Sequence, residues 1–298
     1  MTLAHSFGSP RRFTGTLRAA LGLVPAGAYY LFYRHKTFVR IAHWINALCL
    51  AVLLMSGLNI FNAHPALYWG DASDFDHPVL MIGGNEDELG LANKGITQIG
   101  RVQFDTTGVL GASVEQGEPV SRAFPAWATL PGPNWLAMAR QWHFAFAWIL
   151  VINAGVFLIL GIRSGHFLKD VIPSFTDLRA LGHEIAEHIR LRFPHGEAAR
   201  RYNGLQKLAY TLVIFVLGPL IVLTGLSMSP TMDAAFPLLP ALFGGRQSAR
   251  TIHFLCAFSF LGFFLVHIAM VVLSGTWNNL RSMITGWYAI ASIEKRHD

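Results

Sequence analysis

Four stretches of this chain, 41–61, 141–162, 208–228 and 252–275, contain no Asp, Glu, Lys or Arg. A helix needs roughly 20 apolar residues to cross the hydrocarbon core of a bilayer. A segment in lipid must also satisfy its own backbone hydrogen bonds, which for runs of this length means α-helix. The expected fold class is therefore all-α, an integral membrane four-helix bundle. Composition agrees: 53% of the 298 residues are hydrophobic and 13% are charged. That balance is too apolar for an ordinary soluble domain.

The charges are sorted by side. Arg11, Arg12, Arg18, Arg34, Lys36 and Arg40 precede the first span. The connection 163–207 carries Arg163, Lys169, Arg179, Arg190, Arg192, Arg200, Arg201 and Lys207. The connection 62–135 is instead rich in acids, among them Asp71, Asp74, Asp76, Glu86, Asp87, Glu88, Asp105, Glu115 and Glu118. Lys and Arg accumulate on the cytoplasmic side of membrane proteins. Both termini are expected in the cytoplasm, with 62–135 outside, in a bacterial inner membrane. The net charge of +6 follows topology, and no nucleic-acid partner is expected. The organisation reads as a cytoplasmic segment 1–40, a transmembrane domain 41–275 with outer loop 62–135 and inner loop 163–207, and a cytoplasmic tail 276–298.

The connections carry weaker signals. The twin arginine Arg11-Arg12 and the apolar run 19–32 could form an export signal. Pro25 and the basic residues that follow favour an interfacial cytoplasmic segment. The outer loop ends in an aromatic stretch around Phe124, Trp127 and Trp135. It reads as a cap over the bundle or a docking surface for an external partner. In the inner loop, an amphipathic cytoplasmic helix is expected over 175–192, after Pro173 and before Pro194. Its pairs His183/Glu187 and Glu184/His188 fit solvated i,i+4 partners better than a metal site. Cys49 and Cys256 lie within spans and read as small buried hydrophobes.

The ionisable side chains that matter are His43, His143, His253 and His267, all inside spans. Such residues in a bilayer mark a functional site by default, and four of them ask for a common cause. Neutral imidazole is an axial ligand of haem iron. His253 and His267 are 14 residues apart, which at about 100° and 1.5 Å per residue puts both on nearly one helix face, about 21 Å apart along the axis. His43 begins the first span at the inner side and His143 begins the second at the outer side. The last span runs inward, so helix direction pairs His143 with His253 and His43 with His267. Two b haems are the expected cofactors.

Neighbouring residues fit that reading. Gly57 lies 14 residues beyond His43, on the same face at the outer level, where a missing side chain admits either a porphyrin or another helix. Arg40, Arg140 and Arg250 each precede one of these histidines by three residues. Their guanidinium groups suit haem propionates, or simply snorkel to the interface.

The pattern Arg40-Ile-Ala-His43-Trp44, the early histidine of the second span and the His253/His267 spacing together resemble the di-haem cytochrome b subunits. That superfamily includes the membrane subunits of formate dehydrogenase and nickel–iron hydrogenase, and bacterial cytochrome b561. Arg201-Tyr-Asn-Gly-Leu-Gln-Lys207 and Thr224-Gly-Leu-Ser-Met228 look closest to the thiosulfate-reductase-type branch. The resemblance covers 34–287 and is weak in the outer loop. It implies quinone contacts at Asn203 and Gln206, although Gly204-Leu205 departs from the Ala-Gly of formate dehydrogenase relatives. It also implies a periplasmic redox partner subunit, such as a molybdenum oxidoreductase, and exchange of electrons with the quinone pool. Two alternatives stay open: a stand-alone superoxide:quinone oxidoreductase of the b561 type, and a haem-free proton relay or transporter. Whether the chain is itself an enzyme is left open.

Overall fold

The computed structural model describes residues 11–13, 29–86, 92–115, 117–190, 192 and 202–291. Most of the expected interfacial segment 19–32, and the tail beyond 291, lie outside the described residues. Four helices are long and apolar enough to cross a membrane: α1 (Thr37–Asn62), α2 (Leu136–Arg163), α4 (Gly204–Ser227) and α7 (Arg246–Leu273). The molecule is mainly helical. Large apolar side chains on these helices, such as Leu48 (59% exposed), Ile152 (64%) and Val266 (63%), face outward. Water would not tolerate so continuous an apolar surface, but lipid supplies its natural solvent.

Local chemistry sets the helix ends. Gly165 leaves α2 with φ +64° and Gly275 follows α7 with φ +114°, both in the left-handed region that glycine adopts without strain. Within α4, a π-helical turn at Val213–Leu217 precedes Gly218-Pro219. Pro219 has no N–H for the preceding turn and crowds it, and the widened turn accommodates both defects.

The chain divides into two compact units, and each long helix contributes a part to both. One unit comprises 45–155 and 216–260. Its connection 62–135, expected as a cap over the bundle or a docking surface, folds as β-structure. Strands β3 (Ala66–Leu67), β4 (Leu80–Glu86), β5 (Ala92–Ile99) and β6 (Val102–Asp105) form an antiparallel sheet in that order. A hairpin, β7 (Gly111–Glu115) and β8 (Glu118–Arg122), lies against it. Gly95 permits this packing, because a Cβ there would collide with the Leu110 carbonyl. Phe61, Leu67, Ile82, Ala123 and Phe124 form the core, with Leu58, Phe254 and Phe258 packed around it. The loop is bound to α1 by two buried asparagines. Asn59 Nδ2 donates to the carbonyls of Pro131 (2.7 Å) and Pro133 (3.0 Å). Asn62 donates to the Phe124 carbonyl (3.1 Å) and accepts from its N–H (2.8 Å).

The other unit comprises 1–44, 156–215 and 261–298. After α2 and a π-helical turn at Phe167–Val171 comes α3 (Phe175–Ile189), the expected amphipathic helix. Ser174 starts it with a capping box, its hydroxyl accepting from Asp177 N–H while the Asp177 carboxylate accepts from Ser174 N–H. The polar face of α3 is not simply solvated. Glu184 accepts the N–H groups of Gly204 (3.1 Å) and Leu205 (2.8 Å), placing a carboxylate at the positive end of α4. Asp177 meets Lys207 Nζ at 2.8 Å. Two short helices, α5 (Pro230–Ala235) and α6 (Leu238–Leu242), precede α7 in the first-described unit. After α7, helix α8 (Thr276–Thr285) leads into β9 (Trp287–Ala291). This strand pairs with β2 (Tyr29–Tyr33), which also pairs with β1 (Arg11–Phe13).

The Asp177 carboxyl is held down to about 2, first by the hydrogen bond from Lys207 and then by those from Ser174. A depressed carboxyl contributes stability above its ordinary value near 4 and loses it as pH falls through its folded value. Asp177→Asn is therefore expected to lower thermal stability at pH 7 by about 1 kcal/mol, a few degrees. Thermal melts in detergent should show that deficit shrinking as pH falls from 4 towards 2.

Candidate functional site: two histidine pairs

The four span histidines sit on three helices. His43 is on α1, His143 on α2, and His253 and His267 on α7. The His143 and His253 rings are 6.2 Å apart, centroid to centroid, and inclined by 60°. The His43 and His267 rings are also 6.2 Å apart, inclined by 56°. Each pair lies within one of the two units, the first in 45–155 with 216–260 and the second in the other.

The His143 and His253 rings are tightly held. His143 Nδ1 lies 3.1 Å from Ser56 Oγ, with the Leu53 backbone beside the ring. His253 Nδ1 lies 3.0 Å from the Ile221 carbonyl and 3.2 Å from Thr224 Oγ1. A carbonyl can only accept, so Nδ1 of His253 carries the proton and its Nε2 keeps a lone pair for a metal. Ser56 gives its hydrogen to the Val52 carbonyl at 2.6 Å and so presents a lone pair to His143 Nδ1, which sets the same tautomer there. Beside each hydroxyl is a glycine. A Cβ on Gly57 would sit 3.3 Å from His143 Cε1, and one on Gly225 would sit 3.2 Å from His253 Cε1. Gly57 thus makes room for an imidazole, whereas the sequence suggested room for a porphyrin or a helix.

The His43–His267 pair is held differently. His43 packs edge-on against Trp44 (5.1 Å), and its Nδ1 is buried with no hydrogen-bond partner. His267 stacks on Phe263 at 5.9 Å and 17°. In the same unit, Tyr202 OH and His35 Nδ1 share a hydrogen bond of 3.2 Å. His166 Nδ1 meets the Asp170 carboxylate at 2.7 Å. Burial and the nearby Arg34 charge push His35 down to about 3, so it is neutral at physiological pH.

The other expected site residues find definite places. Arg40 donates to the Ile284 carbonyl and to Thr37 Oγ1 (3.1 Å), and its Nε is buried without a partner. Arg250 donates to the His64 carbonyl and lies over the Phe61 ring at 5.8 Å. Arg140 is exposed, over Phe144 at 5.6 Å. Asn203 and Gln206 form a reciprocal capping box at the start of α4. Asn203 Nδ2 also lies 3.4 Å from His188 Nε2. The sequence reading gave no site role to Ser56, Thr224, Gly225, His35 or Tyr202, and named Tyr202, Thr224 and Gly225 only within the segments that carry the resemblance. A detectable signal existed for the first three, since Ser56-Gly57 and Thr224-Gly225 are both hydroxyl–glycine steps inside spans.

The spacing of the pairs suits a metal between them. Two imidazole–metal bonds of about 2 Å plus two ring radii give about 6 Å between centroids. Among the described residues, no group of three or more His, Cys, Asp or Glu could hold a metal ion. A metal between two histidines must therefore bring its other ligands with it, as iron in a porphyrin does. The family model for prokaryotic cytochrome b561 matches residues 34–286. The chain belongs to the prokaryotic cytochrome b561 family. This b561-family protein is similar to a putative protein-methionine-sulfoxide reductase subunit, YedZ1, of Azospira oryzae. The two are 27% identical over 239 residues, covering 80% of this chain and 90% of the relative. No solved structure gives a significant match. The b561-family chain is a membrane electron-transfer protein that binds haem b.

A histidine held neutral in the folded state but free to protonate when unfolded contributes stability above its ordinary value near 6.5 and loses it as pH falls toward its folded value. Wild type should therefore lose thermal stability between pH 7 and 5 more steeply than His35→Gln. The same melts across that range check it; parallel slopes would contradict a neutral, buried His35.

Proposed function

We propose that this chain carries electrons across the membrane between quinone and a periplasmic redox partner through two b haems. The observation that carries this reading is the pair of matched sites, each with two imidazoles 6.2 Å apart. His143 and His253 would hold the outer haem, and His43 and His267 the inner one. Haem supplies reversible one-electron chemistry when bound. The four histidines would hold the haems, and the helices around them would exclude water and fix the orientation of the imidazole rings. Arg40, Arg140 and Arg250, one turn from these histidines, would meet the anionic propionates.

Quinone takes up protons together with electrons, so its site needs donors close by. The Tyr202–His35 and His166–Asp170 pairs, in the unit of His43 and His267, support the inner side for that exchange. Asn203 and Gln206 would serve it by fixing the start of α4, next to which Tyr202 lies. The charge asymmetry of the sequence supports cytoplasmic termini and an outer sheet domain that faces the partner. Similarity to the Azospira methionine-sulfoxide reductase subunit supports a reductase as that partner, and the resemblance to di-haem cytochrome b subunits suggests a molybdenum oxidoreductase as its type.

A reduced-minus-oxidised spectrum of the purified chain should give a haem-to-protein ratio of about two. A colourless protein would overturn the reading. His253→Ala should remove the outer haem alone; loss of both haems, or of neither, would undo the pairing. Asp170→Asn should slow quinone turnover in membranes several-fold while leaving the haem spectrum unchanged.

A further inference from the structure

The first and third spans carry the same five-residue arrangement, and each wraps one histidine of the outer pair. On α1 it is Leu53, Ser56 and Gly57; on α4 it is Ile221, Thr224 and Gly225. The hydroxyl of the second residue faces an imidazole Nδ1 in both, at 3.1 Å and 3.2 Å, and the backbone of the first lies beside the same ring. Glycine leaves the space that the ring occupies. Each hydroxyl is itself oriented. Ser56 donates to the Val52 carbonyl at 2.6 Å and Thr224 to the Leu220 carbonyl at 2.7 Å. With that hydrogen committed, the hydroxyl presents lone pairs to the imidazole N–H. Ser56 and Thr224 are both fully buried, so water does not take over this role.

We infer that these two arrangements are positioning devices that set the redox potential of the outer haem apart from that of the inner one. The inference rests on His143 and His253 being haem ligands. An acceptor on Nδ1–H makes the imidazole a stronger donor through Nε2. A stronger donor favours the more highly charged, oxidised metal and lowers the potential. Both outer ligands have a hydroxyl acceptor, and His253 has a carbonyl as well. At the inner pair, His43 Nδ1 is buried without a partner, so that ligand gains no such assistance. The two sites share imidazole pairs and ring separation, and they differ in what stands behind the ring.

The test is a potentiometric titration of the full chain in detergent, comparing wild type with Ser56→Ala, Thr224→Val and the double variant. The outer component is identified as the one lost in His253→Ala. The midpoint of that component should rise in each single variant and further in the double variant. At a fixed potential this reads as a several-fold increase in its reduced-to-oxidised ratio, with the other component unmoved. Thr224→Ser should restore the wild-type midpoint. If the double variant sheds its outer haem, the single variants, each keeping one hydroxyl, carry the measurement. An unmoved outer midpoint in both single variants, or an equal shift of both components, would overturn the inference. Haem loss in His253→Ala together with an unmoved midpoint would refute this inference and leave the di-haem reading intact. A wild-type chain without haem would instead refute the reading beneath it.

Discussion

A buried imidazole N–H in hydrocarbon is costly without an acceptor, and the acceptors that meet His143 and His253 organise that half of the spans. His253 directs Nδ1 toward the Ile221 carbonyl, and His143 directs Nδ1 toward Ser56 Oγ with the Leu53 backbone beside the ring. Such acceptors can serve the rings only where the helix surface is bare enough to approach, and Gly57 and Gly225 provide that access. Ser56 and Thr224 are free to accept because they turn their own hydrogens onto the preceding turn. One polar demand thereby fixes the rotation of two helices, the tautomer of two rings and the direction in which two Nε2 atoms point.

The same rule reaches the polar segments at the ends of the spans. Asn59 and Asn62, buried at the end of α1, satisfy carbonyls of the returning loop, including two from prolines. The loop can then lie on the bundle without orphaned backbone groups. In the other unit, Glu184 closes the start of α4, and Asp177 holds Lys207 beside it. The inner connection is therefore built into its unit by charge and capping. Its apolar residues Phe175, Ile185 and Ile189 remain exposed, as suits a helix beside a membrane surface.

Legibility in the sequence followed the range of the interactions involved. The spans and the amphipathic α3 depend on local composition and period, and both were readable. The histidines stood out because few ionisable groups occur in such surroundings, and helix direction alone set His143 opposite His253 and His43 opposite His267. The outer sheet was not readable. Its strands are short and glycine-rich, and its stability comes from contacts such as Gly95 against Leu110 that join distant positions. Asn203 and Gln206 carried a resemblance to quinone-binding positions, yet their immediate task is to cap a helix, a local role that the pattern Asn-x-x-Gln also encodes.

By itself, then, the sequence determined the medium, the number of spans and the residues able to bind a metal, because each follows from transfer of single side chains out of water. Only the tertiary structure decided what stands behind those residues. A hydroxyl–glycine step on one helix acquires meaning when an imidazole from another helix fills the space beside it. That meeting depends on helix rotation and depth, which arise from packing over the whole unit.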